Sequence, residues 1–331
     1  MILTISLIMT YLFSLPIGLY LLLFTNDGIS ISKLTLDSIP TSLFIFFNFR
    51  IPISINKGIL FFALITIYAV CFIMAWFFYI RLHSLMKDII SFPMKKILNN
   101  FLLSMPLFSS TLLLIVVAVQ SIQEFYGVET GSISFQNQFE GLFLLSYSPI
   151  LEELSYRITP IGFILLILIL VNFLRKENPM SFSICVLCFI YPDKAKEKAN
   201  LGTIHDKGFK KGISYPEWFI LFLTSIFFGI NHYLPGGSWG IGKITSATIA
   251  GLVFALSYLY FGVHAPILLH WSFNYYMYTY QILAENYNSV FTFLVDLNQF
   301  IVIILGSFGI LGLIFLISSR LRVMGMKKNY S

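Results

Sequence analysis

Charged residues are scarce in this sequence. Lysine, arginine, aspartate and glutamate together make up 11% of the 331 residues, whereas an average soluble domain carries about 25%. The mean hydropathy is +0.84, so the chain lacks the polar surface that would face water on all sides. The short alternating segments of a membrane β-barrel are also missing. These deficits exclude an ordinary soluble domain and indicate a helical membrane protein.

Cysteine is rare as well. The chain has three cysteines, too few for a disulfide framework. Cys185 and Cys188 have CxxC spacing, but a zinc site would need two more ligands, and only His205 lies near in the sequence. We interpret the pair as two thiols in an apolar stretch, with metal or redox use as the alternative.

Long apolar runs occupy most of the chain, and a helix needs roughly 20 apolar residues to cross a bilayer. Eight segments qualify: 5–25, 58–80, 97–120, 141–174, 216–234, 244–261, 263–281 and 297–318. We therefore predict an all-α fold, a polytopic transmembrane bundle of about eight membrane helices. The first run lacks the basic start of a signal peptide and is predicted to be a span. The fourth is too long for one straight crossing, and its Pro149 and Pro160 predict a kink or a short helix leading into a full one.

The basic residues are distributed asymmetrically. Sixteen of the twenty-one lysines and arginines lie in 81–96, in 175–215 and in the C-terminal tail. The alternate set of loops holds four: Lys33, Arg50, Lys57 and Lys243. Because basic loops favour the cytoplasmic side, we predict a multi-pass protein of the cell membrane with both termini in the cytoplasm. The net charge of +6 then reflects orientation, and we expect no nucleic-acid partner.

The connection at 175–215 is the only sizeable stretch predicted outside the membrane. Its apolar patch at 182–191 is too short to cross a bilayer. A lid or interfacial segment is one interpretation. We favour the other, a solvated loop in which only this apolar patch contacts the rest of the protein or the membrane.

One group of ionisable residues lies inside the fourth apolar run. A charge at the centre of a membrane helix costs at least about 2.5–3.5 kcal/mol, so such residues are functional candidates. Glu153 and Arg157 are four residues apart and can pair on one helix face. Glu152 points elsewhere, and an unpaired, desolvated carboxylate suits general acid or base chemistry. A structural ion pair would explain Glu153 and Arg157 but would leave Glu152 without a role.

Two further groups lie in later spans. Phe228 and His232 share a helix face at the end of the fifth span, where a histidine is also common as an interfacial residue. His270 and Asn274 are likewise four residues apart in the seventh span. They can donate hydrogen bonds to an oxyanion or simply join helices as polar packing contacts. His264 precedes Pro266 and is predicted to start that helix.

These three groups occur on three different membrane helices, which indicates one shared site. Glu152 and His232 could activate a water directly, with His270 and Asn274 stabilising the oxyanion. Alternatively, the glutamates and histidines could bind a zinc ion that activates the water. The HExxH spacing of zinc peptidases is absent, so we expect no cofactor and keep zinc as the alternative.

The three motifs, in this order, resemble the signature of the CAAX protease and bacteriocin-processing (CPBP) family, which includes the type II CAAX prenyl endopeptidases. The motifs are Glu152-Glu153-x-x-x-Arg157, Phe228-x-x-x-His232 and His270-x-x-x-Asn274. The stretch 251–262 and the following Ala265-Pro266-Ile267 are similar as well. The resemblance covers roughly residues 140–280, and the 79 residues from Glu153 to His232 are a longer interval than the family leads us to expect.

The resemblance implies an intramembrane endopeptidase of the glutamate type, independent of metal. Glu152 and His232 would activate the water, His270 and Asn274 would form the oxyanion hole, and Glu153, Arg157 and Phe228 would support them. The implied partners are the lipid bilayer and a peptide or protein substrate, prenylated or not. The implied organisation is N-terminal membrane helices without motifs (1–120), a catalytic core with the basic cytoplasmic loop at 175–215 (121–285), and a last membrane helix with a basic tail (286–331).

Two functions from other classes compete with the peptidase. A non-catalytic scaffold or a bacteriocin-immunity protein could have the same motifs without cleaving a peptide. A transporter could use glutamate and histidine as a proton relay, but it would show repeated halves, and this sequence contains no internal repeat.

Overall fold

The computed structural model describes residues 2–77, 99–175, 180–234, 239–286 and 289–328, without the side chains of 289–290 and 320–328. The basic stretch predicted at 81–96 and the ends of the second and third predicted spans lie outside these residues. The basic side chains of the C-terminal tail also lie outside the described residues.

Helices make up most of the described chain. The long ones are α1 (Ile2–Phe24), α3 (Lys57–Phe77), α4 (Phe101–Phe125), α5 (Gln138–Arg175), α9 (Tyr215–Tyr233), α10 (Lys243–Phe261), α11 (264–286) and α12 (Ser289–Lys328). The short ones are α2 (Asn26–Ser32), α6 (Phe182–Ile190), α7 (Pro192–Lys198) and α8 (Ile204–Gly212). This is the predicted all-α bundle of a multi-pass membrane protein.

Six of the described helices are long and apolar enough to cross a membrane: α1, α3, α4, α5, α10 and the part of α12 over Phe291–Ser319. A seventh span arises if α8 and α9 are counted together, although they meet at a bend of 72°. The seventh predicted span, now α11, is helical but is not among these apolar helices. It carries several fully buried aromatic residues, including Trp271 and Tyr275.

Two short two-stranded sheets, one of them the β2–β3 hairpin, interrupt the connection between α1 and α3, where we predicted a loop. Strand β1 (Thr35–Leu36) pairs with β4 (Ile55–Asn56), and β2 (Ile39–Leu43) pairs with β3 (Phe47–Ile51), both antiparallel. The turn between β2 and β3 is unusual because Phe44 and Ile45 have positive φ angles of 50° and 70°. A β-branched residue rarely adopts that conformation, so its surroundings must hold it.

A single π-helical turn (Leu154–Ile158) divides α5 directly after the two glutamates. Pro160 has no N–H, so it cannot bond a carbonyl of the preceding turn. The Ser155 carbonyl accepts instead from Ile45 N at 3.2 Å, while Phe44 N donates to Thr159 Oγ1 at 3.0 Å. The proline thus produces the predicted irregularity as a π-turn, and the hairpin supplies the missing donor.

The basic connection is folded rather than a solvated loop. Its described part consists of α6, α7 and α8, which we call the cap (residues 180–214). Asp193 of α7 accepts from Ile204 N at 2.8 Å and lies 2.5 Å from His205 Nδ1, at the start of α8. Lys196 Nζ bonds Glu217 Oε1 at 2.9 Å and also the Gly212 carbonyl. These buried polar contacts attach the cap to the first turn of α9.

The apolar patch at 182–191 forms α6, which packs on α5. Cys188 is buried against Leu165 and Ile169, and both Cys185 and Cys188 are free thiols. Burial raises the pKa of the Cys188 thiol to about 12, so this thiol stays protonated at neutral pH. Because the thiolate is the metal ligand and nucleophile, the packing favours our interpretation of the pair as buried thiols.

Helices α9 and α10 lie very close together because of Gly229. A Cβ at this position would lie 2.1 Å from Thr248 Oγ1 and 2.4 Å from the Ile244 carbonyl. The absence of a side chain therefore permits the backbones to approach one turn before His232, so that this histidine faces α10 and the centre of the bundle.

Candidate active site

Glu153 is the centre of a buried polar group that joins two motifs. Its Oε1 accepts from Arg157 Nη1 at 3.0 Å and lies 2.8 Å from His270 Nδ1. The side chains of Glu153 and Arg157 are fully buried, and that of His270 is 6% exposed. The predicted pairing of Glu153 with Arg157 is present, and the contact with His270 extends it across 117 positions of sequence.

Aromatic rings surround Arg157 on its other sides. Its guanidinium lies over the Phe228 ring at 4.0 Å and beside Phe254 at 5.5 Å. A cation over an aromatic face is stabilised by roughly 2 kcal/mol when it is shielded from water. Phe228 of the second motif therefore stabilises the cation that holds Glu153 of the first.

Glu152 faces both histidines. Its Oε2 is 4.0 Å from His232 Nε2 and 3.7 Å from His270 Nε2. These distances exceed direct hydrogen bonds, and Glu152 Oε2 has no hydrogen-bond partner among the described residues. The carboxylate that the sequence left without a partner thus points to where the second and third motifs meet.

The orientation of His232 follows from a backbone contact. Its Nδ1 lies 2.7 Å from the Phe228 carbonyl oxygen, which can only accept. Nδ1 therefore carries a proton, and in the neutral ring Nε2 presents a lone pair to the side of Glu152. Two acceptors, one carboxylate and one imidazole, converge at a spacing that suits a shared water.

Asn274 continues the site along α11. A second π-helical turn (Ser272–Tyr276) includes this residue, yet its Nδ2 remains 3.4 Å from His270 Nε2. The same amide donates to Ser148 Oγ of α5 at 3.1 Å. His270 is additionally stacked on Phe254, with ring centroids 5.1 Å apart. The third motif is thereby packed against the first.

A small cleft of about 60 Å³ lies beside His232, His270 and Asn274. Helix α9 contributes Phe228 and His232, and α11 contributes His270 and Asn274. The remaining lining residues come from α4, α10 and α11: Val116, Lys243, Ser246, Ala247, Ala250, Phe254 and Phe273. The lining thus combines apolar side chains with polar groups that converge from α9, α10 and α11.

The structure brings all seven predicted site residues into this one region. Sequence reasoning missed three neighbours: Ser148, Lys243 and Phe254. Ser148 lies four residues before Glu152, so helical spacing could have indicated it. Phe254 and Lys243 belong to α10, which has no motif, and nothing in the local sequence distinguishes them from packing residues.

Among the described residues, no group of three or more His, Cys, Asp or Glu side chains has the geometry of a metal site. A reaction without a cofactor therefore stays a prediction, because zinc dependence is tested by experiment and not by this geometry. His264, predicted to start a helix, is the first residue of α11 and is buried away from the cleft.

Gly251 provides a test of the packing around Arg157. A Cβ at this position would lie 2.8 Å from Arg157 Nη2 and 3.1 Å from the Phe228 ring. We expect Gly251→Ala to displace the guanidinium and to lower the rate of any reaction at the site, since a small misplacement costs about 10²-fold. Gly312→Ala is the matched control, because nothing lies within 4 Å of its Cβ position. Equal rates for the two variants would contradict the role of this packing.

Helices α5, α9 and α11 thus bring two glutamates, two histidines and an amide into one region, and such a group can perform acid–base chemistry. Residues 136–276 match the family model described as type II CAAX prenyl endopeptidase Rce1-like. The matched segment is somewhat less than half of the chain and contains all three motifs. The resemblance to the CPBP family is therefore confirmed, and at the family level the chain is related to CAAX-type intramembrane proteases. No curated protein and no solved structure gives a significant match.

Proposed function

We propose that this protein is a glutamate-type intramembrane endopeptidase. It hydrolyses a peptide bond near a membrane-anchored C-terminus, prenylated or not. The observation that carries the proposal is the convergence of Glu152, His232 and His270, in which both Nε2 atoms lie within 4.0 Å of one Glu152 oxygen. Residues 121–285 are the catalytic core, and residues 1–120 and 286–331 add flanking membrane helices.

The first step is the activation of water by Glu152 and His232. A water between them donates one proton to the Glu152 carboxylate and the other to His232 Nε2, so its lone pairs face the substrate carbonyl. As the oxygen attacks, Glu152 accepts a proton as general base. The apolar walls of the cleft keep other water away and strengthen these interactions.

The second step is the stabilisation of the tetrahedral oxyanion by His270 and Asn274. Because His270 Nδ1 donates to Glu153, its Nε2 can donate only when the ring is doubly protonated. In that form, the Glu153 carboxylate at 2.8 Å from Nδ1 is the counter-ion of the ring. Asn274 Nδ2 is the second donor.

The third step is the collapse of the tetrahedral intermediate. The carbon–nitrogen bond breaks, and Glu152 returns its proton to the leaving amine as a general acid. The products are a new carboxylate and a shortened peptide with a free amino terminus. We propose no cofactor for this sequence of steps. In a zinc-dependent version, the same glutamate and histidines would be the ligands.

We also propose that the protein resides in the cell membrane with both termini in the cytoplasm. The support is the sequence asymmetry of lysine and arginine, which favours the cap as a cytoplasmic element. The lipid bilayer and a peptide or protein substrate are the partners that this location implies.

The test is cleavage of a fluorogenic, farnesylated CAAX peptide by the purified protein, with and without a chelator. We expect cleavage to survive the chelator, because Glu152 and His232 activate the water themselves. The same peptide without the farnesyl group tests whether prenylation matters. Loss of cleavage on chelation and its rescue by zinc would reverse the metal prediction, and absence of cleavage of both peptides would count against the substrate class.

A further inference from the structure

The cap defines one end of the bundle. Besides the Lys196–Glu217 pair at the start of α9, Tyr258 near the end of α10 donates to the carbonyls of Cys188 and Phe189, at 3.1 and 2.9 Å. The start of α9 and the end of α10 therefore lie on the same side of the membrane, next to the cap. We call this side the cap side.

The candidate active site lies at the other end of these helices. His232 comes 17 residues after Tyr215, which places it roughly 26 Å along α9 at 1.5 Å per residue. Lys243 is the first residue of α10 and lines the same cleft. The hydrocarbon core is about 30 Å thick, so the His232 side of the site lies near the face opposite the cap. His270 lies deeper, six residues after the start of α11, which is roughly 9 Å along that helix from the cap.

The bundle is closed between the site and the cap. Arg157, Phe228 and Phe254 form a buried layer beneath the cleft. Below that layer, α5, α9 and α10 pack an apolar cluster that extends to the cap. Its buried members are Ile161, Ile204, Ile213, Leu221, Ala255, Tyr258 and Leu259. A peptide cannot reach Glu152 through this cluster without separating the helices.

The site is more open in the opposite direction. The side chain of Glu152 is 30% exposed and that of His232 is 20% exposed, despite the burial of Glu153 below them. Gly240 N donates to the Thr130 carbonyl at 2.9 Å, which joins the loop before α10 to the loop after α4 at this end. Lys243 lies beside these two loops, and its Nζ is 3.6 Å from the centre of the Trp239 ring.

The distribution of lysines and arginines indicates which of these two ends faces the cytoplasm. The cap exposes a group of lysines: Lys194, Lys198, Lys207, Lys210 and Lys211. The basic stretch 81–96 and the basic side chains of the C-terminal tail lie outside the described residues, and the sequence predicts them on the same side. The opposite side has four lysines and arginines. One of them, Lys57, pairs with Glu140 at 2.9 Å. By the positive-inside rule, the cap side is cytoplasmic.

From these observations, we infer that the active site opens away from the cytoplasm and takes a peptide anchored in the outer leaflet. This inference rests on the proposed function and restricts its substrates to those anchored in the outer leaflet. The substrate is an exported peptide or protein held in the outer leaflet by a lipid or an apolar segment. A protein anchored only at the cytoplasmic leaflet is excluded, because its chain meets the closed end of the bundle.

The test is the labelling of introduced cysteines by a membrane-impermeant maleimide in intact cells stripped of any outer envelope. A background without Cys71, Cys185 and Cys188 receives Tyr126→Cys, at the opposite end, or Lys211→Cys, on the cap. We expect labelling of Tyr126→Cys in intact cells, and loss of labelling of Lys211→Cys until the membrane is permeabilised. The reverse pattern, or equal labelling of both in intact cells, would overturn the inference.

Asp37→Cys and Lys194→Cys form a second pair for the two ends, in case either first variant does not accumulate. The labelling reports orientation without catalysis, so the two proposals can fail separately. Reversed labelling together with normal peptide cleavage overturns the orientation alone. Expected labelling without cleavage of any outer-leaflet peptide overturns the proposed function.

Discussion

Glu152→Gln is expected to abolish peptide cleavage while the protein still inserts and purifies normally. Glutamine has nearly the same shape but cannot accept the proton of the attacking water. Loss of a general base lowers the rate by about 10²–10⁴-fold. Since Glu152 Oε2 makes no hydrogen bond within the described residues, the substitution leaves no partner unsatisfied. The measurement is the turnover number for a cleaved peptide, with the apparent melting temperature in detergent as a check on folding.

Glu285→Gln is the matched control, because Glu285 is exposed and bonds Gln281 rather than any residue of the site. Its turnover should equal that of the unaltered protein. His232→Ala should resemble Glu152→Gln, since it removes the second acceptor of the same water. If Glu152→Gln retained full turnover, Glu152 would not be the general base. If both substitutions left the protein's cellular phenotype intact, the non-catalytic scaffold or immunity-type function would become the better explanation.

Arg157→Met is expected to destabilise the protein strongly. It leaves the Glu153 carboxylate buried without its cation, and breaking a buried pair in this way costs about 3–5 kcal/mol. The double substitution Glu153→Gln with Arg157→Met removes both charges and should recover part of that loss. Thermal unfolding in detergent measures both variants. We expect the single variant to melt several degrees below the double variant.

Lys194→Met is the control for this comparison. Lys194 and Glu197 also pair within one helical turn, at 2.8 Å, but their side chains are 47% and 58% exposed. Exposed pairs contribute at most about 1 kcal/mol, so this variant should melt close to the unaltered protein. Similar melting temperatures for Arg157→Met and Lys194→Met would show that the buried pair does not stabilise the bundle.

Much of the helical layout was predictable because it depends on local properties. An apolar run long enough to cross a bilayer forms a helix wherever it lies, so the predicted spans agree with the long helices. Pairs four residues apart, such as Glu153 with Arg157, share a helix face for the same local reason. The short sheets and the folded cap were not predicted, since short strands and amphipathic helices are stabilised by contacts with distant parts of the chain.

The sequence by itself determined the membrane class of the protein and its long helices, and it predicted the candidate site residues, because each follows from composition or from spacing within one helix. Only the tertiary structure decided which oxygen of which glutamate meets a histidine. The bond from Ile45 to the π-turn, the ring of Phe254 on His270 and the closed side of the cleft also depend on it. These features join segments that are far apart in the chain, and only the packing of whole helices brings such segments within a few ångströms.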